Sequence, residues 1–494
     1  MRVARLSWAA GSDGDEMELT AFFSSIIKDN AGMSDREFLQ SEFNEFMQSK
    51  RRRDILTARD YYKGRHDILR ENRQEIGENG RFQDTINATN YHIVNNMFDD
   101  LVDQKVSYLL SKPIEVKTDN TDITDIFGKS FMRKMKQIGK DALIGGYGAL
   151  LPYIDINGDL KFKRMKPEQL LLFWADEEHE VLDAFAYFYN IERYNRVHTK
   201  EIVTKIEYYQ PDKVSYFIWE MGQLREDTER HDTPYIVDDQ NQTYKWDKIP
   251  LVVFKANDEE LPLILRVKCL QDALNTIMSN FMNNMTEDAR NTILVIKNYD
   301  GEDLNEFRRK IVQYGAVKIR TVDGVDGGVD ALTINVNANN YTTILKTLKD
   351  AIIENGRGFD AKDDRMSSNP NQMNINSMYS DIDLDASDME NEFQAAFEQL
   401  MFFVNAYLSF IGKATEDDVE FVFNRDLPIN EADTITNCRN SVGIISEETI
   451  ISNHPWTIDT AEELKRLKRE RQETMTDYVT GGDVHDEKPT EENS

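Results

Sequence analysis

Two cysteines, Cys269 and Cys438, are all that 494 residues contain, and neither lies in a paired motif. A disulfide framework or zinc knuckle is therefore not expected, and a reducing, intracellular origin is. Long hydrophobic runs are lacking too. The longest nearly apolar stretch, Leu400 to Ile411, contains Asn405 and Ser409 and is too short to cross a bilayer, so it reads as a buried helix. Met1 and Arg2 lead into a mixed stretch with Asp13, Asp15, Glu16 and Glu18, without the apolar core of a targeting segment. Positive charge is scarce: 59 Lys and Arg face 89 Asp and Glu, a formal net charge of −30. Such a surface repels a polyanion, which argues against ordinary DNA binding through phosphate neutralisation. It suits either an acidic protein that never meets nucleic acid or a passage through which DNA slides without sticking.

Catalytic signatures are missing as well. Gly128-Lys129-Ser130 has the end of a phosphate-binding loop, but the glycine required five positions earlier is Ile123. Gly145-Gly146-Tyr147-Gly148 lacks the spacing of a dinucleotide fingerprint. The seven histidines are scattered, and none belongs to a zinc motif. His179 beside Glu177 and Glu178 reads as a surface acidic turn before it reads as a metal site. Asp381, Asp383, Asp385 and Glu392 occupy positions one, three, five and twelve of an EF-hand loop. Ala386 stands where that loop needs glycine, and helical spacing surrounds the group, so it is only a weak metal candidate. No cofactor is expected, and the chain does not read as an enzyme.

What is present is enough chain for two or more domains, with 40% hydrophobic and 30% charged residues. Helical spacing covers residues 36 to 76, with Phe38, Phe43, Phe46 and Met47 apolar and Arg51, Arg52 and Arg53 read as a solvated face. A second helix is expected over Asn90 to Leu110, striped by Ile93, Met97, Leu101, Val102, Val106 and Leu109 and stopping before Pro113. Strands follow: a hairpin over Leu150–Ile156 and Leu160–Phe162 with a tight primed turn at Asn157-Gly158, then Ala184–Tyr189, Glu201–Tyr209, Val214–Trp219 and Leu251–Phe254.

Leu263, Val267, Leu270, Leu274, Ile277 and Phe281 then alternate four and three apart, the seam of a long helix. An insert follows: a strand over Ile293–Ile296, a turn at Asp300-Gly301, a helix over Leu304–Tyr314, and strands over Ala316–Arg320 and Ala331–Val336 separated by glycine-rich Gly324–Gly328. A second helix resumes at Tyr341, with Ile344, Leu345, Leu348 and Ile352 on one face and Lys346, Asp350, Glu354 and Arg357 on the other. The pattern is that of a stalk carrying a tip. Residues 366 to 380 hold no charge, and the stretch from Met366 through Asn376 reads as a polar loop. A long helix over about Ser377 to Ile411 and another over Glu462 to Thr474 are expected, with a disordered acidic tail beyond 480 and no internal repeats.

Several of these fragments, in order, resemble the portal proteins of long-tailed bacteriophages of Gram-positive bacteria. They are Tyr61-Tyr62-Lys63-Gly64-x-His66-x-Ile68, Asn90-Tyr91, and the run from Leu101-Val102-Asp103-Gln104-Lys105 to Ser111-Lys112-Pro113. The family usually has glycine where Ser111 stands. Further on come Asp141-Ala142, Gly145 to Gly148, Ile249-Pro250-Leu251-Val252-Val253-Phe254, Asn371-Gln372-Met373-Asn374 with Ser380 to Asp385, Ile445-Ser446-Glu447-Glu448-Thr449-Ile450, and Asp459 with Glu462 and Glu463.

The resemblance implies an α+β portal fold built into a cyclic ring of about twelve subunits. It implies a wing over 1–257, stem helices over 258–290 and 341–360, a small αβ clip over 291–340, a tunnel loop over 361–376, a long wing helix over 377–412, a mainly helical crown over 413–475 and a tail over 476–494. Double-stranded DNA would pass through in packaging and ejection. Terminase and the head–tail adaptor would dock at the clip, with major capsid and scaffolding proteins as further partners and no membrane. The place of work would be the capsid portal vertex, after assembly in the host cytoplasm. Arg365, Met366, Ser367, Ser368, Asn369, Asn371, Gln372 and Asn374 would then approach DNA as the tunnel loop, and Lys346, Asp350, Glu354 and Arg357 would line the stem channel. A nuclease or packaging motor would need the carboxylate cluster or nucleotide motif that the sequence lacks. A minor head or scaffolding protein would form no central channel.

Overall fold

Serines and asparagines set the helix starts of the N-terminal half. Ser34 caps α1 (Asp35–Gln48) in a capping box with Glu37, and Ser49 caps α2 (Lys50–Tyr62) by accepting from the Arg52 amide. A short 3₁₀ turn, Asp67–Arg70, and the hairpin of β1 (Gln74–Ile76) and β2 (Phe82–Asp84) follow. Asn96 caps α3 (Met97–Leu110), and Asn120 caps α4 (Thr121–Ile126), which comes after β3 (Glu115–Lys117). The computed structural model describes residues 32–76, 81–84, 89–194, 198–237, 243–287, 292–297, 328–333, 338–360, 372–425, 430–457 and 460–480.

Helix α5 (Lys129–Gly145) leads straight into β4 (Tyr147–Ile154), which pairs with β5 (Leu160–Met165) and β13 (Val252–Lys255) in a three-stranded sheet. The glycines at this junction serve packing. Gly146 has φ +87°, and a Cβ there would lie 1.9 Å from the Glu260 carbonyl oxygen; at Gly148 it would lie 2.7 Å from that of Ile138. The β4–β5 connection is a loop from Asp155 to Asp159, in which the Asp155 carboxylate accepts from the amides of Asn157 and Asp159. Only Gly158 takes positive φ, so this is not the two-residue primed turn expected from Asn-Gly, which requires positive φ at both residues.

β6 (Leu170–Trp174), β7 (Leu182–Tyr194), β8 (Lys200–Tyr209), β9 (Val214–Glu220) and β10 (Gln223–Glu226) form an antiparallel sheet in the order β10-β9-β8-β7-β6. Alternation along β7 covers both faces: Ala184, Ala186 and Phe188 pack with Leu39 and Phe43 of α1, and Phe185 packs with the core of the three-stranded sheet. β11 (Ile236–Val237) and β12 (Thr243–Tyr244) make a small ladder. The strands expected at 150–162, 184–189, 201–209, 214–219 and 251–254 are all present, within a few residues.

The stalk is present as α6 (Ile264–Glu287) and α7 (Ala338–Asn355), packed together, with β14 (Thr292–Lys297) and β15 (Gly328–Thr333) paired antiparallel between them in sequence. β15 begins three residues before the expected strand. The turn at Asp300-Gly301, the helix at Leu304–Tyr314 and the strand at Ala316–Arg320 lie outside the described residues. The next helix, α8 (Gln372–Phe410), is followed by β16 (Glu420–Val422), which pairs with β3. α9 (Glu431–Asn440), α10 (Glu447–Ser452) and α11 (Thr460–Thr480) end the described chain; the expected tail beyond 480 lies outside it.

The chain divides into two compact units, Met1–Gly358 with Leu384–Arg425 and Phe359–Asp383 with Asp426–Ser494. The first holds the sheets, the stalk and the core of large aromatics such as Phe254, Phe393 and Phe397. The second holds the start of α8, with Tyr379 stacked on Phe359 at 4.1 Å, and α9 to α11. Residues 413–425, read above with the crown, belong to the first unit through β16. None of the helices among the described residues is long and apolar enough to cross a membrane.

Candidate functional site

The stalk is held by two different faces of α6. Its apolar seam is buried at Leu263, Val267 and Leu274, and Phe281 meets Tyr341 of α7 with ring centroids 4.7 Å apart. Ile352 of α7 is fully buried, whereas Ile344, placed above on the same apolar face, is 46% exposed.

The other face carries Gln271, Asn275, Ser279 and Asn283, one per helical turn and all buried. Their side-chain oxygens accept the backbone amides of Met97 at 3.0 Å, Asn95 at 3.0 Å, Ile93 at 2.9 Å and Tyr91 at 2.7 Å. Every second amide of the segment leading into α3 is thereby paired with every fourth residue of a helix, the Met97 amide also reaching the Asn95 carbonyl at 3.1 Å. The two spacings can match because two residues of non-helical chain advance up to about 6.6 Å and four helical residues about 6 Å. Gln271 also donates to the Asn95 carbonyl at 2.7 Å, and Asn275 Nδ2 donates to His66 Nδ1 at 2.8 Å. His66 can then donate from Nε2 to the Tyr61 carbonyl, 3.2 Å away. Burial lowers the His66 pKa despite nearby Asp272 and Asp67, which suits this neutral donor–acceptor role. The helix expected from Asn90 thus begins only at Met97, because the amides before it are claimed by α6. The period-four row of polar side chains was the sequence signal for this arrangement.

Below this row lies a charge hub. Asp385 of α8 is shared by three cations: Lys105 of α3 at 2.7 Å, Arg266 of α6 at 2.7 Å and Arg357, just past α7, at 2.6 Å. Lys105 also donates to the Arg357 carbonyl at 2.9 Å. Burial depresses the Lys105 pKa, partly offset by the charge of Asp385. Burial would raise that of Asp385, but the charges of Lys105 and Arg266 and the hydrogen bonds hold it below the ordinary carboxylate value. Arg357 has φ +48°, so the chain leaves α7 through a left-handed residue whose carbonyl and side chain are both tied down.

The hub corrects two sequence expectations. Arg357 does not continue the face of Lys346, Asp350 and Glu354. Those three are exposed along α7, whereas Arg357 lies beyond the helix and is paired with Asp385. The Asp381, Asp383, Asp385 and Glu392 group lies within the continuous helix α8, where residues two apart point to opposite sides, so it forms no EF-hand loop. Among the described residues, no group of three or more His, Cys, Asp or Glu is placed to hold a metal ion.

Of the loop candidates, Arg365, Met366, Ser367, Ser368, Asn369 and Asn371 lie outside the described residues. Gln372 and Asn374 are in the first turn of α8, which starts five residues before the expected Ser377. The arginine run at 51–53 is a solvated face only at exposed Arg53. Arg51 pairs with buried Glu260 and lies over the Tyr147 ring, and Arg52 is half-buried over Phe188. His179 sits 2.8 Å from Glu260 and stacks on Trp174. Cys438 is buried and Cys269 exposed, both free.

Comparison with known proteins gives this geometry its context. The portal protein of Clostridium phage phiCD119 is 25% identical over 450 residues, covering 87% of this chain and 95% of that protein. The portal protein of Bacillus phage SPP1 is 24% identical over 426 residues, covering 83% of this chain and 82% of that protein. Among solved structures, the virion of a native gene transfer agent particle contains a chain 12% identical, with a TM-score of 0.38 over 71% of this chain and 87% of that one. The neck of the native gene transfer agent particle, computed with C12 symmetry, gives a TM-score of 0.37 over 71% of this chain and 89% of that one, again at 12% identity. A family model for the phage portal protein, SPP1 Gp6-like, matches residues 47–477, from the start of α2 nearly to the end of α11, and this chain therefore belongs to that family.

Proposed function

We propose that this portal protein closes into a ring of about twelve copies at the capsid vertex, around a channel for double-stranded DNA. The observation that carries the reading is the family match over residues 47–477, with two packed helices bracketing a β-ribbon within it. In this assignment α6 and α7 are the stem, and the insert at 291–340 is the clip that meets terminase during packaging and the head–tail adaptor afterwards. The crown lies at the C-terminal end; since residues to Arg425 belong to the first unit, its start moves from 413 to about 426. The tunnel loop shortens to 361–371, because Gln372 and Asn374 are helical. Major capsid and scaffolding proteins complete the set of partners, with assembly in the host cytoplasm and residence in the virion.

Charge supports such a conduit. A subunit of formal charge −30, repeated around an axis, makes a wall that DNA phosphates do not grip. Lys346 shares the exposed face of α7 with the acidic residues Asp350 and Glu354, so a stem lined by them offers weak, spaced contacts rather than a clamp. The family's role is structural, and energy for translocation would come from a separate ATPase.

Electron microscopy of the purified protein, with its mass measured by light scattering, tests the reading. Closed rings with a central hole are expected. A chain that stays monomeric at high concentration and with scaffolding protein present would overturn it.

A further inference from the structure

The C-terminal helices have almost no core of their own. From Asn430 to Gln472, only Cys438 and Ile451 are buried among the described side chains. Over the same stretch Val442 is 68% exposed, Ile444 80%, Ile445 46% and Trp456 71%. Two buried side chains do not offset the conformational entropy of ordering three helices. The apolar surface that would do so faces outward, on the turns before α10 and after it.

The charges nearby say what kind of surface would cover it. Lys465, Lys468 and Arg469 are exposed on α11 and have no ion-pair partner among the described residues, whereas Arg466 and Arg471 are paired to Glu462 and Glu447. This is a cationic stripe in a chain of net charge −30. α9 and α10 open instead on acidic turns, Glu431 with Asp433 and Glu447 with Glu448, of which Glu447 is taken by Arg471 and Glu431 and Glu448 are exposed. The C-terminal region therefore carries both halves of a complementary pair on different helices. That arrangement suits a head-to-tail contact, in which each copy gives one face and receives the other. A DNA duplex would match the stripe but leave the tryptophan and isoleucines uncovered.

We propose that the patch of Val442, Ile444, Ile445 and Trp456 docks against the C-terminal helices of a second copy of this chain, and that these helices complete their core only when the ring closes. The inference rests on the ring reading above and adds to it a named interface and a coupling of local folding to assembly.

Hydrogen exchange of the full-length chain tests it, comparing dissociated subunits with assembled rings over residues 430–472. Exchange is expected to be fast in the subunit and slower by about a hundredfold or more in the ring. Ile444→Ser with Trp456→Ser should cut that protection at least about tenfold while the amides of β7 and β8 keep theirs, which excludes general misfolding. Rings whose 430–472 segment exchanges as fast as in the subunit would overturn the proposal and leave the portal assignment standing. Protection conferred on dissociated subunits by linear duplex DNA would also overturn it, by giving the patch to nucleic acid. If no rings form under any assembly condition, both readings fall together.

Discussion

Buried Lys105 and half-buried Asp385, 280 positions apart in the chain, form an ion pair of 2.7 Å that ties α3 to α8. Arg266 and Arg357 complete the hub, so one carboxylate secures four segments. Asp385→Asn leaves Lys105 buried without a counter-charge and should cost about 3–5 kcal/mol in chemical denaturation. Lys105→Met should cost clearly less, since both arginines still hold Asp385 and the methionine fills the space. Equal losses would mean that the charge balance of the hub is unimportant.

Acid should weaken the same hub. The Asp385 carboxyl titrates below its unfolded value of about 3.9, so its contribution is complete above that pH and is lost as pH falls through the lower folded value. Asp67 and Asp227 are also lowered and act in the same direction. The melting temperature should therefore fall steeply as pH drops below about 4, and less steeply in Asp385→Asn. Parallel slopes would remove Asp385 from the acid response.

Hydrogen exchange should read out the row on α6 directly. The amides of Tyr91, Ile93, Asn95 and Met97 should exchange slowly in alternation with faster ones between them. Asn275→Ala orphans the Asn95 amide and a partner of His66, and should cost about 1–3 kcal/mol. Uniform exchange across residues 91–97 would contradict the pairing.

Gly146→Ala should be more damaging than its size suggests. A β-carbon there meets the Glu260 carbonyl at 1.9 Å and demands a φ of +87°, so a loss of about 3 kcal/mol or more in thermal or chemical denaturation is expected. A variant as stable as wild type would show that this junction can relax.

The proposed tunnel loop at 361–371, uncharged from Met366 onward, gives a functional prediction. Asn369→Lys adds one phosphate contact per subunit, so packaging should slow at low salt and recover as salt rises. Packaging equal to wild type at every salt concentration would place the segment away from DNA.

The legible parts of this fold are those written in local periodicity. Alternation gave the strands around Ala184, Glu201 and Val214, and the four-three spacing from Leu263 to Phe281 gave α6. What escaped depends on partners distant in sequence. Ile93 and Met97 have helical spacing with Leu101, yet the amides of Tyr91, Ile93 and Asn95 are bonded to residues some 180 positions later. Arg51 reads as solvated until Glu260 and Tyr147 are placed beside it, and Arg357 reads as part of the α7 face until the helix ends at Asn355. Uncharged Gln372 and Asn374 look like loop, but the helix they open is long, and its later turns bury Phe393 and Phe397.

The row of Gln271, Asn275, Ser279 and Asn283 is evenly spaced, and so are the amides it holds. It therefore behaves as a rack against a toothed bar. A sliding of α6 by a fraction of a turn takes all four side-chain oxygens off their amides at once. A slide of four residues, about 6 Å, restores three amide–oxygen pairings, each with a new partner. Axial force on this helix is thus resisted stiffly up to a threshold, and any yielding comes in steps of a helical turn.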